Sequence, residues 1–221
     1  MQKLVFLVMI LFGLSGCTTF KAPTYTPTKS NSESIEGSDV GFYVEALQPR
    51  FEDTGSIMCR GVGPVETPGQ TTFSRYIQSA LESELRTAGL WDGDGKRIVM
   101  QLAQVDFSST LGATNWYINA HYTIAGTQTE IATTYHDRSS YLGTKACNNM
   151  ALYLPKAVSE HFSQLFQSGA FLEAVRPLRS QQDASDGTLS DRLSELEAAR
   201  DAGLITADEY ATKRKVILDE L

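Results

Sequence analysis

The chain begins with an apolar run, Leu4 to Leu14, broken only by Gly13 and preceded by Lys3. At roughly 20 residues per crossing, this run is too short to span a bilayer as a helix. Residues 18–38 carry many Ser, Thr and Pro and few large aliphatics, and show neither helical nor strand period. That composition predicts a flexible tether. Val40 to Val44 reads as a strand ending before Pro49, and residues 48–70, rich in Gly and Pro, read as loop. Over 71–88 the apolar positions Phe73, Tyr76, Ile77, Ala80, Leu81, Leu85 and Ala88 recur at steps of three and four, predicting an amphipathic helix. Thr71 or Thr72 caps its start and Gly89 suits its end. Asp92-Gly93-Asp94-Gly95 is a turn; no run of acceptors follows that would complete a calcium loop.

Three strands come next. Ile98 to Phe107 is mostly apolar. Trp116, Ile118, Ala120, Tyr122 and Ile124 alternate with polar or amphipathic neighbours, giving one buried and one wet face. A turn at Gly126-Thr127-Gln128 leads into Thr129 to His136. A second helix spans about 144–167, with Pro155 inside it as an expected kink or restart. Pro177 closes the packed region, and 178–188 reads as a linker. From Leu189 a separate unit follows: Leu193, Leu196 and Ala199 on one helix, a turn at Ala202 to Ile205, and a second helix opened by Thr206 and Glu209 in capping-box spacing. The expected fold is α+β: an antiparallel sheet of about four strands packed on two helices, plus a C-terminal helical hairpin. The domains are 1–16, 17–38, 39–177, 178–188 and 189–221.

Hydrophobic residues make up 42% of the 221-residue chain, enough for a core, and the formal net charge is −7. Loss of Lys3 with residues 1–16 would make the remainder one unit more negative. An acidic chain argues against a nucleic-acid partner, which calls for a basic surface.

The stretch Leu14-Ser15-Gly16-Cys17, after Lys3 and the apolar run, resembles the lipobox of bacterial lipoproteins. The resemblance implies that residues 1–16 are a signal peptide and that Cys17 becomes the first residue, carrying diacylglycerol and a further acyl chain. Two or more chains make anchoring stable. An ordinary secretory signal with an incidental cysteine is the alternative. Thr18 stands where Asp commonly retains such proteins in the inner membrane, so the resemblance implies the outer membrane, with the body facing the periplasm. With Cys17 taken by lipid, Cys59 and Cys147 remain as one pair in an oxidising compartment. A disulfide between them, or two separate buried thiols, are the two readings.

In the C-terminal unit, Leu193, Leu196, Gly203, Leu204, Ile205, Thr206, Glu209, Tyr210, Lys213 and Leu218 resemble the SHOCT family of short C-terminal helical hairpins, with Tyr210 where Phe is common. The family implies oligomerisation or partner docking and no catalytic residues. Leu193, Leu196, Leu204, Ile205, Tyr210 and Ile217 are therefore the candidate interaction residues. A two-helix unit this short buries too little to be robust alone, which also points to a partner or a second copy. The element order of the body is loosely similar to the auxiliary lipoprotein of lipid-transport ABC systems.

Catalytic motifs are sparse. The chain has no Gly-x-Ser-x-Gly elbow, phosphate loop or His-Glu-x-x-His. With a hairpin near residue 127, His121 and His136 share the wet face beside Asn119 and Thr134, and simple solvation is the reading preferred over a metal site. His161 falls on the apolar side of its helix as a core histidine. No cofactor or metal is implied. The expected function is a non-enzymatic lipoprotein that binds or scaffolds envelope partners. The alternatives are an accessory of a lipid or solute transporter, which requires an apolar groove between sheet and helices, and an envelope hydrolase.

Overall fold

The computed structural model describes residues 18–110, 112–176, 193–194, 196–200 and 204–218. The expected signal peptide 1–16, Cys17 and the expected linker 178–188 lie outside them. The chain divides into two compact units, Met1–Val175 and Arg176–Leu221.

The first unit is a mixed α+β body with two sheets. In chain order its elements are β1 (Phe20–Lys21), α1 (Lys29–Ile35), β2 (Phe42–Ala46), β3 (Ser56–Cys59), β4 (Gly63–Glu66), α2 (Phe73–Thr87), β5 (Lys96–Ser109), β6 (Ala113–Ile124), β7 (Thr127–Arg138), α3 (Gly143–Phe166) and α4 (Gly169–Val175). The larger sheet has the order β2-β5-β6-β7. Its β5–β6 and β6–β7 pairs are antiparallel.

The sheet is not purely antiparallel as expected, because β2 pairs with β5 in parallel, Val44 opposite Ile98. The cause is α2, which lies between these strands in the chain. A helical crossover brings the chain back to the end from which it started, so the strands it joins run the same way.

The second difference lies in residues 48–70. Instead of loop they form the β3–β4 hairpin, which turns through Arg60 and Gly61, both at positive φ. With β1 it makes a three-stranded sheet, β1 running parallel to β4 with Phe20 opposite Val65. The third difference is the expected tether. Residues 18–36 are not free chain: they form β1 and α1, and Phe20, Ala22, Tyr25 and Ile35 are buried in the body. Four well-placed side chains are few enough to leave no period in the sequence.

α2 is capped as its sequence requires. Thr72 Oγ1 accepts from the Arg75 amide at 3.3 Å. At the other end Gly89 takes φ +75°, while Leu90 N–H donates to the Leu85 carbonyl and Gly89 N–H to that of Arg86. Those two bonds are the Schellman closure that a glycine permits. The long helix α3 packs against β6 and β7 of one sheet and β1 and β4 of the other. It runs from Gly143 to Phe166 without a restart, although Pro155 removes one donor from its ladder. One turn before the proline, the Met150 carbonyl accepts from Trp116 Nε1 at 3.0 Å. Between the larger sheet and the helices the space is filled by Phe73, Ile77, Leu81, Ile98, Trp116, Tyr122, Leu154 and Phe162, all shut from solvent.

Candidate functional site

The Cys59 and Cys147 sulfurs are bonded, with the two Cα atoms 5.8 Å apart and 88 residues of separation. The bond ties the β3–β4 hairpin to the first turn of α3. Of the two readings left open by the sequence, the disulfide is the one the structure contains.

Two buried polar clusters hold the body together. In the first, the fully buried Glu84 receives four donors: the Tyr25 hydroxyl, the Thr28 amide at 3.2 Å, Asn31 Nδ2 at 3.2 Å and the Ser32 hydroxyl at 3.3 Å. Asn31 also donates to the Ser159 carbonyl of α3 at 3.0 Å. A carboxylate out of water is tolerated when its lone pairs are filled by donors. Burial, then the neighbouring carboxylate, push the Tyr25 hydroxyl well above its ordinary pKa, so it remains a donor. The donors all belong to residues 25–32, so Glu84 latches the N-terminal strap onto α2. Sequence reasoning passed over Glu84, although it sits on the same helical face as Ile77, Ala80 and Leu81. An acid on an otherwise apolar stripe was the available signal.

The second cluster is centred on His161, which is buried as expected. The Thr133 hydroxyl donates to Gln164 Oε1 at 2.9 Å. It is therefore left to accept from His161 Nδ1 at 2.9 Å, and Tyr122 donates its hydroxyl to Nε2 at 2.9 Å. The imidazole is neutral, and burial lowers its pKa to about 3. A proton on Nε2 would take away the acceptor for Tyr122.

The other two histidines are apart. The turn is the two-residue Ala125-Gly126, so Ile124 faces Thr127, His121 faces Glu130 and His136 faces Asn115. The two imidazoles share a face, as expected, but six residues of strand separate their rows, about 20 Å at 3.4 Å per residue. His136 Nδ1 pairs with Asn115 Oδ1 at 2.5 Å, and His121 Nδ1 lies 4.0 Å from Glu130. No group of three or more His, Cys, Asp or Glu that could hold a metal ion occurs among the described residues. Asp92 takes the role of a turn former, accepting from the Asp94 amide at 3.0 Å.

In the second unit, residues 193–194 and 196–200 are helical, and α5 spans Ala207–Leu218. The capping box is complete. Glu209 accepts from the Thr206 amide at 2.9 Å and from its hydroxyl at 2.8 Å, and the Glu209 amide donates back to Thr206 Oγ1 at 3.3 Å. The Thr206 amide holds the Glu209 carboxyl below its ordinary pKa. Leu204 N–H donates to the Ala199 carbonyl at 3.0 Å, closing the first helix. Residues 191–218 match the family model SHOCT, the short C-terminal domain.

In the SHOCT hairpin, Leu196, Ala199, Ile205, Val216 and Ile217 line an open, mainly apolar groove of about 620 Å³. Of the interaction candidates, Leu196, Ile205 and Ile217 come together there. Tyr210 stands elsewhere on the hairpin, its hydroxyl donating to Glu197 at 3.3 Å and its ring beneath Arg200 at 4.7 Å. Leu193 is half-buried, and Leu204 is 77% exposed.

No curated protein matches the chain at a significant level. Among solved structures it is similar to a crystal structure of an uncharacterized protein, at 8% identity over 67% of this chain and 97% of that one, with a TM-score of 0.39. A score that low carries no argument about the body.

Proposed function

We propose that the protein is a lipoprotein anchored through Cys17 to the periplasmic face of the outer membrane, where it binds or scaffolds envelope partners without catalysis. The SHOCT hairpin is its docking element, joining a second copy or another envelope protein. The observation that carries this reading is the hairpin's open, mainly apolar groove, where the lining residue Val216 stays 56% exposed. Helices that leave such a stripe open gain by burying it against a partner. The lipobox-like stretch and the closed disulfide support an extracytoplasmic address. A transport accessory is less well supported, because the space between sheet and helices is filled by side chains.

The test is in-cell crosslinking of the full chain and of a chain lacking residues 189–221. Crosslinked species that vanish with the hairpin are expected. Monomer alone in both cases would overturn the docking role. Mass spectrometry of the N-terminal peptide, beside a Cys17→Ser chain that leaves the membrane fraction, tests the anchor separately.

A further inference from the structure

The described chain starts at Thr18, whose carbonyl is packed so tightly on Gly63 that a Cβ there would lie 1.7 Å from it. Only glycine allows that approach. Cys17 is bonded to Thr18, and its Cα is therefore about 3.8 Å from that of Thr18. The anchor proposed above would therefore join the body one peptide bond from Thr18, which packs beside the β3–β4 turn.

That turn marks one pole of the body. Its Arg60 donates from Nε to the Ser109 carbonyl at 2.9 Å, from Nη1 to the Ser140 carbonyl at 3.3 Å, and from Nη2 to Ser139 Oγ at 3.2 Å and to the Thr110 carbonyl. A Cβ on Gly143 would lie 3.1 Å from Val62 Cγ2. One arginine therefore gathers the β5–β6 turn and the 139–142 loop around the hairpin beside which Thr18 enters. The outer surface of this pole is unusual for an acidic chain. Tyr141 is 77% exposed and Leu142 is 68% exposed, side by side, with exposed Arg138 and Lys145 nearby. Consecutive aromatic and aliphatic side chains held out in water by a braced loop, flanked by cations, have the composition of segments that enter the headgroup boundary of a bilayer.

We propose that this pole is a membrane-docking face: Tyr141 and Leu142 insert into the interfacial layer of the leaflet that holds the Cys17 lipids. This orients the body on the membrane, sends its opposite end, the Ala125–Gly126 turn, away from it, and rests on the lipidation proposed above. The occupant is a phospholipid surface and not a protein, because the covalent anchor places that surface within reach of the loop.

The experiment uses the full lipidated chain in phospholipid vesicles. With Cys17 acylated and Cys59 bonded to Cys147, a Tyr141→Cys chain has a single free thiol for a nitroxide, and a Thr127→Cys chain places the same label at the opposite end. At 141 the label is expected to read about 5–10 Å below the headgroup boundary, with collisions with a water-soluble relaxant reduced several-fold relative to 127. Equal, water-like accessibility at both sites overturns docking while leaving the anchor intact. A label at 141 immobilised with no lipid contact, and still so in detergent, overturns it in favour of a protein contact. An N-terminal peptide without lipid removes the anchor, and the docking face with it.

Discussion

The body and the SHOCT hairpin both consist of amphipathic elements, yet they satisfy them differently. In the body, Phe42, Phe73, Trp116 and Phe162 are shut from solvent, a disulfide joins residues 88 apart, and the buried Glu84 and His161 are hydrogen-bonded at both polar atoms of their side chains. In the hairpin, among the described residues, only Ile217 falls to 9% exposure, and its bonds include the caps at Thr206, the Leu204–Ala199 closure and the Tyr210 contacts. The body's elements are tied together over long sequence distances. The bonds named for the hairpin span at most 13 residues, from the Thr206–Glu209 cap to the Tyr210–Glu197 bond, and supply little burial. A unit of the first kind stores stability, and one of the second keeps its apolar side chains available.

That contrast can be broken in several ways. The largest effect is expected from Cys59→Ala with Cys147→Ala, which should lower body stability in denaturant by about 4 kcal/mol while leaving hairpin helicity unchanged. Coupled loss of both would show that the units are not energetically separate. Next comes pH. His161 is depressed in the fold relative to its unfolded pKa, so the unfolded chain binds the proton first. Its contribution is whole above pH 6.5 and is lost as pH falls toward 3, at about 1.4 kcal/mol per unit. Unfolding curves at pH 7, 6, 5 and 4 should show that slope, and His161→Gln should flatten it. Glu84→Ala strands four donors and should cost about 2–3 kcal/mol, with amide exchange rising first in residues 25–35. Uniform exchange throughout the body would refute the latch. The smallest effect belongs to Thr206→Ala, about 1 kcal/mol of local helix, visible as faster exchange at Ala207 to Tyr210 with the body's midpoint unmoved.

What the sequence discloses follows the same division. Local rules are legible: the Thr206–Glu209 box, the Thr72 and Gly89 caps, the alternation of β6 and the core position of His161 all appear where the pattern puts them. Features set by distant partners are not. The parallel pairing of β2 depends on a crossover that includes the 26 residues 47–72 between β2 and α2, and the strap depends on Glu84, more than 50 residues from its donors. The β6–β7 register shows the boundary between the two. Its parity could be read, so both histidines are on the expected face. Their partners differ from those a turn at Gly126 to Gln128 would give, because the chain turns at Ala125-Gly126 and Ile124 faces Thr127.

One further consequence lies in the two tryptophans, both in the body. Trp116 is sealed in the core with its N–H on Met150, whereas Trp91 is half-exposed beneath Arg86, 3.9 Å from its ring centre. Intrinsic fluorescence therefore reports the body with one blue and one red emitter, and is blind to the hairpin. A melt followed by tryptophan alone would pronounce the molecule folded while its C-terminal hairpin had already come apart.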